Sequence, residues 1–227
     1  MKRLLVSVAA LLLFAAPALA QNNNVIGAAQ LYVGGSWSAR LDLDNSTNTT
    51  EVANIFFLNS FNTATVSVNG NPAVPFFTYY LPPHKVTSFK LTNNVAPVAN
   101  TWLSVSSQNL AGIQITGRLT HYDADRYICE YPLSAATDHY LLNAVWTPVE
   151  QTAFSIAIPA NTGPTQVFIR ALDLNNNEVN RIWRTLDSMG QSAQFIGEFL
   201  SLPLGFVGTL EITCSNPVLI STALFRE

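Results

Sequence analysis

The sequence predicts an all-β protein: two tandem immunoglobulin-like antiparallel β-sandwich domains behind a cleaved signal peptide. Three observations point there. Apolar and polar residues alternate with period two along most of the chain, as from Trp37 to Asp44, where Trp37, Ala39, Leu41 and Leu43 share one side and Ser38, Arg40, Asp42 and Asp44 the other. Gly, Pro and Asn clusters interrupt these runs at short intervals. The chain also echoes itself: TTEVANIFFLNSFN from Thr49 is answered by PTQVFIRALDLNNN from Pro164, and LSVSSQNLAGIQITGRL from Leu103 by LEITCSNPVLISTALFR from Leu210.

Taken in order, residues 1–20 have the three parts of a secretory signal: Lys2 and Arg3, an apolar run from Leu4 to Ala16, and the small-residue site Ala18-Leu19-Ala20, with cleavage expected between Ala20 and Gln21. That run is shorter than the roughly 20 residues a spanning helix needs, and no later segment is longer and as apolar, so insertion through a membrane helix is not expected. A small outer-membrane barrel is the structural rival. It requires evenly spaced strands of about 10 residues, and the strand signals here are mostly shorter and broken by Pro. The predicted location is periplasmic or extracellular.

The remaining chain, about 207 residues, suits one large or two small β-domains. The internal echo favours two, residues 21–123 and 124–227, with the join in the polar stretch from His121 to Asp138. Alternation predicts first-unit strands near residues 28–33, 37–43, 52–58, 64–68, 73–80, 86–91, 102–106 and 111–120. Asn69-Gly70 between two of these runs predicts a type I′ turn, whose central residues both need positive φ. The second unit predicts strands near 140–146, 154–158, 166–172, 179–184, 192–196, 208–213 and 218–225. A helical turn or two is expected at 194–200, where Phe195, Phe199 and Leu200 can share a face. This strand density is that of an immunoglobulin-like sandwich.

Removing the signal takes away two of the eleven basic residues and none of the fourteen acidic ones, which leaves a net charge of −5. Phosphate backbones are bound by clustered Lys and Arg, so nucleic acid is not an expected partner. Cys129 and Cys214 either pair or stand as separate buried thiols; pairing would close a loop of roughly 85 residues and stabilise by about 4 to 5 kcal/mol. They are not a zinc site, which takes about four ligands at short spacings.

At Gly34-Gly35-Ser36-Trp37, Leu41-Asp42-Leu43-Asp44-Asn45 and Leu81-Pro82-Pro83, and again at Gly208-Thr209-Leu210-Glu211-Ile212-Thr213-Cys214-Ser215-Asn216-Pro217, the chain resembles the immunoglobulin-like β-sandwich repeats of exported, mostly uncharacterised bacterial proteins. Ser46 departs from that pattern where Pro is usual, and His84-Lys85 where a Gly-containing turn is usual. The resemblance implies a structural or adhesive module, an implication drawn from fold alone.

Candidate sites are few. Asp42 and Asp44 share a strand face with Arg40; a glycosidase needs two carboxylates about 5 to 9 Å apart, but polar-out alternation already accounts for these residues. His121, Asp123, Asp125, Asp138 and His139 gather metal-ligating side chains at the join, where Asp also commonly bonds its own backbone. No Gly-x-Ser-x-Gly elbow accompanies His84, His121 or His139. In Phe76-Phe77-Thr78-Tyr79-Tyr80 both strand faces are aromatic, and Phe77 and Tyr79 are the pair expected to bind a ligand, unless the second face packs on the other unit. The expected function is a non-catalytic structural or adhesion-type module acting by surface contact, without cofactor or metal, its partner a cell-surface protein or a polysaccharide. The alternatives are a carbohydrate-binding module using the Phe77/Tyr79 face and a secreted hydrolase working through Asp42 or His121.

Overall fold

The computed structural model describes residues 25–34, 37–59, 62–93, 99–121, 126–132, 134–159 and 162–226. The expected signal, with Ala20 and Gln21, lies outside them. The described chain is nearly all antiparallel strand, arranged as two β-sandwich units. In the first, β1 (Val25–Val33), β2 (Trp37–Asn45), β3 (Glu51–Asn59), β4 (Asn62–Thr63), β5 (Ser67–Val68), β6 (Phe76–Leu81), β7 (Lys85–Thr92), β8 (Ala99–Ser106), β9 (Ile113–His121), β10 (Arg126–Pro132) and β11 (Ser134–Ala135) form two sheets. One has the order β11-β1-β8-β3, with β4 and β6 also on β3; the other has the order β10-β9-β2-β7-β5. From β4 to β9 each successive strand crosses to the opposite sheet, the connection pattern of a jelly roll.

Alternation drives this packing. Ala39, Leu41 and Leu43 of β2 meet Ala53, Ile55 and Phe57 of β3 in one buried core, closed by Phe89, Leu91, Leu103 and Val105. Trp37 packs at its margin. At the Asn69-Gly70 turn both residues have positive φ (53° and 79°), and Val66 bridges Val74 in the returning arm.

The strands of the first unit run beyond the expected join at 123/124. β10 pairs with β9 and β11 pairs with β1, so pairing holds the chain to the first unit as far as Ala135. β10 is an edge strand that makes ladder bonds on one side, carries a register shift between Tyr127 and Cys129, and ends at Pro132. Edge position tolerates such a sequence, and the same features make it read as a linker.

The second unit consists of β12 (Thr137–Trp146), β13 (Glu150–Ala157), β14 (Thr165–Asp173), β15 (Glu178–Leu186), β16 (Gln191–Phe195), the single helical turn α1 (Ile196–Phe199) and β17 (Phe206–Arg226). The two strands expected at 208–213 and 218–225 are halves of β17. Its first half lies between β14 and β12, and its second half pairs with β13, which carries β16 on its other edge. The six strands form one hydrogen-bonded sheet that folds over its core at 214–217 of β17, four residues that oppose Asp138 alone, because His139 pairs with Thr213 and Thr137 with Val218. Pro217 has no N–H to offer a ladder there. Side chains take over: Ser215 Oγ accepts from the Gln166 N–H at 3.0 Å, and Asn216 Nδ2 donates to Thr165 Oγ1. The strand order β12-β17-β14-β15 repeats β1-β8-β3-β6, and β17-β13-β16 repeats β9-β2-β7. Phe154, Ile156, Ile169, Leu210 and Ile212 centre this second core.

A third buried cluster, Ala29, Leu58, Trp102, Ala157 and Leu219, joins the units. Its centre is a bulge in β1: Ala28 pairs with Leu103 and Leu31 with Thr101, so Ala29 and Gln30 face Trp102 without regular ladder bonds. The second unit satisfies the backbone of Ala29. Ser221 Oγ accepts from the Ala29 N–H at 2.9 Å, and Gln191 Nε2 donates to the Ala29 carbonyl at 2.6 Å. A Cβ on Gly27 would stand 2.3 Å from the Leu103 carbonyl oxygen and 2.6 Å from Leu219 Cδ1, so the close approach of β1 to both neighbours requires glycine. Gly27→Ala should therefore lower stability by about 1–3 kcal/mol through overpacking. Gln191→Ala should cost about 1–3 kcal/mol by leaving a buried carbonyl unpaired. Urea unfolding midpoints equal to the parent's would refute this account of the junction.

Candidate functional site

The pairing of β6 with β3 fixes the phase of the aromatic run. Tyr79 pairs with Ala53 and Phe77 with Ile55, both core-facing positions, so Phe77 and Tyr79 turn inward and meet Phe89 at 5.1 and 5.0 Å. The aromatic face left outside is the other one: Phe76 is 55% and Tyr80 66% exposed, with Phe76 stacked on Phe56 at 5.9 Å. The expected ligand-binding pair is thus half-buried against the first core, and the pair on the opposite face is the one open to solvent. Six residues with rings on both faces carry no phase of their own.

The other candidates are separated. Asp42 is held by Arg40 Nε at 2.7 Å and by the Ser88 hydroxyl. His84 sits in the left-handed region (φ 53°) after Pro82-Pro83, where a type II turn calls for glycine or asparagine, and its Nε2 is 2.7 Å from Asn48 Oδ1. Cys214 is a free thiol, its pKa pushed up to about 12 by burial and then by the nearby Asp138 charge, so it remains protonated and unreactive. The side chains of His121 and Cys129, and residues 122–125, lie outside the described residues. Among the described residues no three of His, Cys, Asp and Glu stand close enough to hold a metal.

What the structure does bring together lies on the outer face of the sheet β15-β14-β17-β12. Ile182 packs on the second core, so its neighbours Arg181 and Trp183 point outward. Register places Trp183 beside Phe168, Phe168 beside Thr213 and Thr213 beside His139. The next row is Arg181, Arg170, Glu211 and Leu141. Trp183 is 63% exposed, and its ring stacks on Phe168 with centroids 4.2 Å apart and planes at 30°. Beside this pair Arg170 Nε donates to Glu211, whose other oxygen stands 3.3 Å from His139 Nε2. Arg170 first, and His139 second, hold the Glu211 carboxyl below the usual carboxylate range. The result is a flat face with one broad ring platform and an adjoining set of oriented donors and acceptors. The alternation around Ile182 carried the signal for Trp183; only its phase relative to the core was missing from the sequence. The first unit has the same construction on the equivalent pair of strands, β3 and β6, in Phe56 and Phe76.

No known protein family matches the chain, and no curated protein does. Among solved structures it is similar to the N-terminal CBM22-1–CBM22-2 tandem domain from Paenibacillus barcinonensis Xyn10C, at 8% identity over 90% of this chain and 79% of that one, with a TM-score of 0.23. The functional reading therefore rests on the chemistry of the face.

The lowered carboxyls give a pH test. Glu211 is joined by Glu51, held low first by Asn109 and then by Thr49, and by Asp173, held low by Asn177. A depressed folded pKa adds stability that is present above the unfolded value, about 4.3 for Glu, and is lost as pH falls through the folded one. Melting temperature should fall on acidification from pH 5 to pH 3. Glu211→Gln should melt lower than the parent at pH 7, with the gap narrowing as pH falls below about 4.3; a gap that stays constant down to pH 3 would contradict the assignment.

Proposed function

We propose that the chain is an exported, non-catalytic module that acts by surface contact, that its contact surface is the outer face of β12, β17, β14 and β15, and that its partner is a polysaccharide. The observation that carries this reading is Trp183. Leaving a large apolar ring in water forgoes roughly 1.5–3 kcal/mol of burial, a cost that a folded monomer with other choices at an edge strand need not bear. Stacking on Phe168 keeps the ring flat and removes most of its freedom before any partner arrives, which lowers the entropy lost on binding.

A pyranose ring has an apolar face of C–H groups suited to such a platform and hydroxyls suited to fixed donors and acceptors. Arg170, Glu211 and His139 supply those within the neighbouring rows. The weakly charged, Asn- and Thr-rich composition fits a neutral polymer better than a charged one, since only 11% of residues are charged. Two of the carboxylates are engaged in structural bonds, Asp42 with Arg40 and Ser88 and Asp173 with its own turn, which supports a non-catalytic role for them. No helix among the described residues is long and apolar enough to cross a membrane.

Depletion of the protein by insoluble cellulose, xylan, chitin and peptidoglycan tests the proposal. At least one polymer should retain the parent, and Trp183→Ala should weaken retention about tenfold, equivalent to ~1.4 kcal/mol. Phe76→Ala with Tyr80→Ala measures the contribution of the first unit. Retention by none of the polymers would remove the polysaccharide and leave adhesion to a protein surface, whereas unchanged retention of Trp183→Ala would remove the outer face of β12, β17, β14 and β15 as the contact surface.

A further inference from the structure

We propose that the cleft between the two units is a binding site for a single neutral sugar ring, either a free monosaccharide or the terminal residue of a glycan, and that it is separate from the Trp183 face. The sheet made by the second half of β17 with β13 and β16 turns one face toward the first unit. Near Ala157, Leu219 and Gln191 that face is covered by β1. Farther along the same strands the cover ends, and a cleft of about 240 Å³ opens.

Its floor is made of small side chains, since Ala153 pairs with Ala223 and Ser155 with Ala193. Phe195 and Phe225, in edge contact at 5.4 Å, rise from the second unit, while Gln30 and Tyr32 are contributed by β1 beyond its bulge. The walls are braced from behind. Tyr32 packs against Trp37 at 5.7 Å and Phe195 against Trp146 at 6.5 Å, and a Cβ on Gly197 would fall 1.9 Å from the Trp146 ring, so α1 lies flush on that indole.

The decisive group is Ser155. It is 2% exposed, it lines the cleft, and its hydroxyl has no hydrogen-bond partner. The Ser155 hydroxyl is sealed just beneath the cleft floor, where an unmet bond is unfavourable in the empty protein, and a turn about its χ1 toward the cleft lets a ligand supply the missing bond. The lining narrows the ligand class. Alanine methyls and phenyl rings accept an apolar ring face, whereas Ser155, Tyr32 and Glu198 offer donors and acceptors for hydroxyls. Glu198, the charged group among these lining residues, disfavours an anion. The volume lies below the roughly 300–1,000 Å³ of sites for drug-sized ligands and suits one ring.

Saturation-transfer NMR on the full chain, with methyl pyranosides of glucose, xylose, galactose and N-acetylglucosamine as probes, tests this site. At least one pyranoside should bind, and neither phenol nor acetate should displace it. Ser155→Ala should weaken binding about three- to tenfold, the effect of one hydrogen bond, while melting at or above the parent temperature because no native bond is lost. Ala193→Phe should fill the floor and abolish binding, and Trp183→Ala should leave it unchanged. An oligosaccharide that binds no tighter than its methyl glycoside would mark an end-binding site, and one that does not bind would mark a site for the free sugar. The proposal is overturned if no pyranoside binds, if phenol displaces it, if Ser155→Ala binds like the parent, or if Trp183→Ala removes the signal. The last result would move the sugar to the outer face, whereas failure of polymer retention alone leaves the cleft unaffected.

Discussion

Period-two alternation about a hydrogen-bonded ladder decides, strand by strand, which rings of this chain are core and which are surface. The phase of that alternation is set by the neighbouring strand. β3 turns Ile55 and Phe57 inward, so β6 must turn Phe77 and Tyr79 inward and leave Phe76 and Tyr80 outside. β14 turns Val167 and Ile169 inward, so Phe168 emerges and gives Trp183 a surface to lie on. A slip of one residue in either pairing would exchange the core for the aromatic platform, and the burial of two cores holds both registers in place.

The two units solve the same topological problem with different joints. In the first, β8 and β9 are separated by a turn that includes Leu110–Gly112; in the second, one strand of 21 residues passes from one half of a folded six-stranded sheet to the other across a four-residue bulge. The echo from Leu103 and Leu210 is in phase with burial, since Leu103, Val105 and Ile113 match Leu210, Ile212 and Ile220. The echo from Thr49 and Pro164 is one residue out of phase: it sets buried Ile55 against outward Arg170, whereas Ile55 and Ile169 are the equivalent core positions. Similar composition on both faces of β3 hides such a shift.

The junction between units shows how a local irregularity becomes an interface. A bulge frees the N–H and carbonyl of Ala29, groups that would be costly if buried unpaired, and Ser221 and Gln191 take both. Glycine at 27 lets the backbones approach, and Trp102 fills the space between the sheets. The same contact, by covering only part of the face that the second unit turns to the first, leaves the cleft over Ser155.

The all-β class, the positions of most strands, the positive-φ turn at Asn69-Gly70 and the short helical turn near Phe199 were legible in the amino-acid order, because each depends on propensity and periodicity within a few residues. The assignment of β10 and β11 to the first unit, the inward turn of Phe77 and Tyr79, the platform of Trp183 on Phe168 and the cleft between units were decided by tertiary structure alone. Each depends on which distant strand supplies the ladder, and a period of two carries no information about its own phase until that partner is in place.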